Sequence, residues 1–241
     1  MHATRITILS ESFPTQELYP FKLEVMSQTR HLDLTTPVTF FVGENGSGKS
    51  TLLEAVARRS GIHIWWPEQR SRVVYNPVEQ DLYQYIKVDW VDGPAAGSFF
   101  AAEIFKNFAQ NLDEWASTDP GQLKYFGGQS LLTQSHGQSL MSFFRSRYRI
   151  EGLYLLDEPE TALSPRTQLD LLRLLYDMGR AGHAQFIVAT HSPILLSCPG
   201  ALIYDFNQVP VRRVEYEATE HYQVYKDFME NPARFFQDPL D

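Results

Sequence analysis

The chain is short of several things, and each shortage excludes something. Of its 241 residues only Cys198 is a cysteine, so no intramolecular disulfide can form, which suits a reducing compartment. No apolar run approaches the roughly 20 residues that cross a bilayer as a helix. Met1-His2-Ala3-Thr4-Arg5 leads into an amphipathic strand-like stretch and not into an apolar signal core. The expected location is cytoplasmic, without direct membrane insertion, and any membrane role needs a separate partner chain. Positive charge is also scarce, 21 Lys and Arg against 29 Asp and Glu, for a net charge of −8. That balance argues against a broad nucleic-acid face. The local basic strips, Arg58-Arg59 and Arg145 to Arg149, read as solvated faces. His2, His31, His63, His136, His183 and His221 make no metal-ligand spacing with the lone cysteine. Internal repeats, heptads, low-complexity tracts and a Ser-His-Asp hydrolase elbow are all missing.

What is present starts with Gly43-Glu44-Asn45-Gly46-Ser47-Gly48-Lys49-Ser50-Thr51, a full G-x-x-x-x-G-K-[ST]. It lies between an apolar run, 38–42, and a helix-forming run, 49–59. That strand–loop–helix setting is what lets such a loop cradle a polyphosphate on inward-facing backbone N–H groups. Lys49 is expected to reach the β- and γ-phosphates, and Ser50 to ligate Mg²⁺. The loop therefore predicts a nucleoside triphosphate site.

The second half adds carboxylates. Leu153 to Leu156 is an apolar run that delivers Asp157 and Glu158 at its end, where open α/β sheets place their ligands. Asp157 suits a metal-holding role and Glu158 that of a general base. A further apolar run, 185–189, ends in Thr190-His191, so His191 is expected at the neighbouring strand tip, facing phosphate and water. Strands are predicted at 4–10, 21–26, 38–42, 83–90, 153–156, 185–189, 201–205 and 211–216. Helices are predicted at 49–59, within 98–116, at 137–149, 165–180 and within 220–237. Residues 67–80 read as a loop, and 117–135 are rich in Gly, Ser, Gln and Thr. The fold class is α/β, a mostly parallel sheet with flanking helices, an N-terminal antiparallel β subdomain and a helical insert. All 241 residues form one domain, with 1–92 and 150–241 as nucleotide-binding core and 93–149 as helical subdomain.

In this order the motifs resemble those of the ABC-type ATPase superfamily. The phosphate loop, Asp157-Glu158-Pro159, the segment Glu160-Thr161-Ala162-Leu163-Ser164 and the His191 strand look like its Walker A, Walker B, D-loop and H-switch. A signature loop is then required. Gln134-Ser135-His136-Gly137-Gln138 is preferred over Phe126-Gly127-Gly128-Gln129, because Ser135 lies 22 residues before Asp157, as in the superfamily consensus. A helix also starts directly after it. The resemblance implies that Ser135, Gly137 and Gln138 contact ATP held by a second subunit, so the chain is expected to act as an ATP-dependent homodimer.

Ser-His-Gly-Gln and the Thr-Ala-Leu-Ser of the D-loop are unlike typical transporter subunits. They are similar to small stand-alone bacterial ATPases related to the SMC and DNA-repair branch, as are Tyr19-Pro20-Phe21 and Thr219-Glu220-His221-Tyr222. The expectation is a soluble Mg-ATP hydrolase whose dimerisation switches an unidentified protein partner. The alternatives are the nucleotide-binding subunit of a membrane transporter and a DNA repair or defence ATPase. The insert is too short for a coiled-coil arm. No clear Q-loop glutamine stands out, Glu103 and Gln110 being weak candidates. Tyr19 and Phe21 are the candidate adenine-stacking aromatics.

Overall fold

The structure is a computed structural model that describes residues 1–64, 76–119, 121 and 136–236. Its strands are β1 (Ala3–Ile8), β2 (His31–Asp33), β3 (Val38–Val42), β4 (Ile86–Trp90), β5 (Gly97–Ala101), β6 (Gly152–Asp157), β7 (Ala184–Ala189), β8 (Leu202–Asp205) and β9 (Arg212–Val214). Its α-helices are α1 (Glu24–Gln28), α2 (Lys49–Arg59), α3 (Ala102–Thr118), α4 (His136–Arg147), α5 (Pro165–Arg180), α6 (Pro193–Leu196) and α7 (Glu220–Glu230).

Among the described residues, six strands form the main sheet in the order β5-β6-β7-β3-β8-β9, parallel except for the last pair. The central strands are buried on both faces, which is why they read as continuous apolar runs. Alternate side chains feed two cores. Phe41, Leu153, Leu155 and Ile187 face α2 and the antiparallel sheet β2-β1-β4. Phe40, Tyr154, Leu156, Phe186 and Val188 face α3 to α6. The result is four layers, with α2 packed between the two sheets and α3 to α6 on the far face of the main sheet.

Gln185 in β7 ties the sheets together. Its Oε1 accepts from the backbone N–H of His2 at 2.7 Å and of Ala3 at 2.8 Å, and its Nε2 donates to Ala3 O at 2.8 Å. The side chain has no solvent exposure, so these bonds replace water for every group involved.

Three sequence expectations change here. Residues 21–26 are not a strand: α1 takes 24–28, and the short β2 comes after it. Residues 98–101 are not helical. They belong to β5, the parallel edge strand beside β6, and the helix begins at 102. Phe99 and Phe100 therefore point to opposite cores, a period of two hidden inside an aromatic-rich run. A helical subdomain reckoned from 93 thus includes one strand of the main sheet. The stretch at 83–90 divides into a 3₁₀ turn, Asp81–Tyr85, and β4. The helices at 49–59 and 165–180 begin and end where the sequence puts them. Ser164 caps the latter, its Oγ accepting from Thr167 N, with Pro165 in the first turn.

Candidate functional site

The carboxyl ends of β3, β6 and β7 lie side by side. Asp157 pairs with Ala189, and Phe41 pairs with the same residue from the other side. Three segments therefore emerge at one edge of the sheet: the phosphate loop after β3, Glu158 after β6, and Thr190-His191 after β7.

The phosphate loop turns on glycines. Gly46 and Gly48 have φ of 80° and 99°, and a Cβ on Gly48 would sit 2.9 Å from Met26 Cε. Gly48 is the N-terminal cap of α2, whose first residue is Lys49. The Lys49 ammonium is buried, and donates to Gly43 O at 2.7 Å and Glu44 O at 2.9 Å. Burial pushes its pKa down. Glu158, Asp157, Glu44 and Glu160 push back by attraction. Ser50 Oγ donates to Asp157 Oδ1 at 2.8 Å, joining the start of α2 to the end of β6.

Glu158 stands in the left-handed region, φ 43° and ψ 52°, alone among the described non-glycine residues in having positive φ. That conformation costs an ordinary side chain about 1 kcal/mol. It is held by Glu158 N–H donating to Ala189 O at 2.9 Å, and it turns the carboxylate out of the strand line. Glu158 Oε1 lies 3.5 Å from His191 Nε2. The pair is at ion-pair distance without hydrogen-bond geometry, and among the described residues the buried Nε2 has no hydrogen-bond partner. Behind it, His191 N–H donates to Glu160 Oε1 at 2.6 Å. Burial raises the Glu160 pKa. On the other side of the ring, His191 Nδ1 lies 3.0 Å from His221 Nε2 of α7. Burial lowers the pKa of both imidazoles. The positive charge of Lys49 and the neighbouring ring push His191 the same way.

Lys49, Ser50, Asp157, Glu158 and His191, each anticipated from sequence, are thus brought together. Ser135 lies outside the described residues, as does the competing segment 126–129. Gly137 and Gln138 occupy the first turn of α4. The core residues of α4 pack on the face of the sheet opposite α2. Phe21 is not available to stack on a base: it is core, in edge contact with Phe13 and Tyr85. Tyr19 is partly exposed, its hydroxyl 2.7 Å from Thr51 Oγ1 beside the phosphate loop. Gln110 is exposed on α3, while Glu103 lies in its first turn, just after Ala101, which pairs with Asp157.

Two neighbours of the site carry no motif of their own. Asn207 Oδ1 accepts from Glu44 N–H at 2.7 Å, and its Nδ2 donates to Glu220 Oε2 at 3.2 Å. His221 stands in the sequence only as a member of Thr219 to Tyr222. Each approaches a motif far away along the chain, and that Thr-Glu-His-Tyr segment is the one local hint of either.

Comparisons with known proteins find ATP-binding relatives and a neighbour in fold. Residues 127–197 match the family model described as "AAA domain, putative AbiEii toxin, Type IV TA system", and residues 21–57 match a second model described as an AAA domain. The chain is 25% identical over 168 residues to the manganese transport system ATP-binding protein MntA of Synechocystis, a match covering 64% of each chain. This relative is thus matched over less than two thirds of its length. The chain is 24% identical to the probable siderophore transport system ATP-binding protein YusV of Bacillus subtilis, over 87% of this chain and 82% of that one. Among solved structures, it superposes with a TM-score of 0.55 and 20% identity on "an inward-facing conformation of a putative metal-chelate type ABC transporter". That superposition covers 93% of this chain and 88% of the other. In fold, motif order and relatives the chain is similar to proteins of the ABC-type ATPase superfamily.

Proposed function

We propose that the chain binds ATP with Mg²⁺ and hydrolyses it, using the cluster at the carboxyl edge of the main sheet. The observation that carries this reading is that Lys49, the Ser50–Asp157 pair, Glu158 and His191 converge from three parallel strand ends. Gly43 to Thr51 hold the triphosphate, with Lys49 exchanging its carbonyl partners for phosphate oxygens. Ser50 and Asp157 are hard oxygen donors, the chemistry that Mg²⁺ takes. Once bound, the ion offsets phosphate charge. Glu158 orients the attacking water and accepts its proton. His191 directs its unpartnered Nε2 at the phosphate and water, which supplies a reason for a buried polar atom to lack a protein partner. The chain works as a stand-alone homodimer, Ser135, Gly137 and Gln138 of one copy closing on ATP held by the other, and this closure switches a partner protein.

The test is a pair of variants. Lys49→Ala should abolish Mg-ATP binding by titration calorimetry. Glu158→Gln should bind ATP near normally and turn it over at least about a hundredfold more slowly. Near-native binding by the first, or wild-type turnover by the second, defeats the assignment.

The relatives favour a second reading, in which the chain drives a separate membrane partner. An apolar cavity of about 220 Å³ between β5, α3 and α4, lined by Phe99, Ile104 and Phe143, offers a groove for a coupling segment. Among the described residues, no helix is long and apolar enough to cross a membrane. Co-purification of a membrane protein from the native host would favour this reading over the first.

A further inference from the structure

The strongest unassigned feature is the imidazole behind the proposed phosphate-facing histidine. His221 is the second residue of α7, a helix whose start is set by Thr219: its Oγ1 accepts from Tyr222 N–H at 3.3 Å. The same turn reaches the phosphate loop, because Glu220 accepts from Asn207 and Asn207 accepts from Glu44 N–H. The first turn of α7 is therefore fixed against both the Gly43 to Thr51 loop and the tip of β7. From that position His221 Nε2 meets His191 Nδ1 at 3.0 Å, with ring centroids 5.2 Å apart.

Two neutral imidazoles at that distance share a single proton, so one nitrogen donates and the other accepts. Which way round it runs decides what His191 offers at Nε2. If His221 donates, His191 Nδ1 is the acceptor and its proton sits on Nε2. Nε2–H then faces Glu158 Oε1 and the place of the terminal phosphate, both of them acceptors. If His191 donates instead, Nε2 presents a lone pair to those same acceptors, which is repulsive. The acceptor beside Nε2 and the His221 donor at Nδ1 therefore act together, and removing that donor frees Nδ1 to take the proton instead.

We infer that His221 is a positioning residue that fixes His191 as its Nε2–H tautomer and holds the ring toward Glu158. This inference rests on the proposed ATP hydrolysis, but its core claim concerns tautomer and ring orientation and can be read without turnover. The His221 imidazole meets His191 at Nδ1, the ring nitrogen away from Glu158, so its loss should act on the chemical step and spare binding.

The experiment compares His221→Leu with His221→Gln, whose amide nitrogen can donate from about the place of the imidazole Nε2. In the full-length protein, nitrogen-15 spectra of the His191 ring should show one dominant Nε2–H tautomer in wild type and in His221→Gln, and a mixture in His221→Leu. In Mg-ATP turnover, His221→Leu should lower kcat about tenfold with ATP affinity unchanged, and His221→Gln should restore most of it. The inference is overturned if His221→Leu leaves the His191 tautomer as in wild type. It is equally overturned if the leucine and glutamine variants lose turnover alike, as a packing role would require. If wild-type protein turns over no ATP, the hydrolase reading fails on its own, and the spectra still decide the role of His221.

Discussion

At the residue scale, the site gathers groups that are costly to hold: a buried ammonium, a carboxylate on a left-handed backbone, and two imidazoles in contact. Their ionisation has a consequence for stability. His191 and His221 keep pKa values below the ordinary 6.5 because burial disfavours their charged forms. From about pH 7.5 upward both are essentially neutral in the folded and unfolded chain alike and contribute nothing to the pH dependence. As pH falls through the unfolded value the unfolded chain takes up protons that the folded chain refuses, so stability is lost until the lowered folded values are passed. Glu160 works in the opposite sense. Its burial raises its pKa above 4.5, so its penalty is present at neutral pH and is relieved as pH falls through the raised value. Urea unfolding measured from about pH 7.5 down to about pH 5.5 should show falling stability, with a shallower fall in His221→Gln, which lacks one of the two imidazoles. Identical slopes in the two proteins would mean that His221 is protonated as readily folded as unfolded.

At the element scale, the site depends on the main sheet keeping its register with the layer behind it. β7 ends in the His191 segment, and the buried Gln185 in the same strand clamps it to β1 through Ala3 and the His2 amide. Gln185→Leu keeps the bulk but leaves two N–H donors and a carbonyl without their partner. An unsatisfied buried group costs about 1 to 3 kcal/mol, and with some relaxation the expected loss is about 3 kcal/mol in chemical denaturation. A loss well under about 1 kcal/mol would show that water takes over these bonds. The close pairing of β5 with β6 is a second constraint. A Cβ on Gly97 would fall 2.0 Å from Leu153 O, so the edge strand can approach only with glycine there.

At the scale of the whole molecule, the proposed cycle is one of association. Each chain carries a net charge of −8 and has Asp157 and Glu158 at the end of a central strand of its sheet, so two copies without nucleotide should repel at that face. Mg-ATP held between two copies adds contacts that only the closed pair can make, so dimer affinity should rise with ATP. Light scattering on Glu158→Gln should report a monomer mass without nucleotide and a doubled mass with Mg-ATP. Adding Ser135→Arg should prevent the doubling while single chains still bind ATP. An unchanged monomer mass with ATP, together with normal hydrolysis by Ser135→Arg, would remove both the signature-loop assignment and the sandwich mechanism.

The sequence by itself determined the parts of this protein whose physics is local. A phosphate loop needs its glycines, lysine and serine in one nine-residue stretch. A strand buried on both faces is apolar throughout, and α5 announces itself by Ser164 and Pro165. Those elements are legible because each signal lies within a few residues of what it specifies. β5 is not legible, because its Phe99 and Phe100 suit a helix as well as a strand until β6 provides pairing partners. Phe21 and Tyr19 cannot be told apart, since only packing buries one against Phe13 and Tyr85 and leaves the other at Thr51. The tertiary structure alone decided that His221 meets His191, 30 positions away, and that Asn207 meets Glu44, 163 positions away. Contacts of that kind arise from how β7, β8 and α7 come together, and no short-range pattern encodes them.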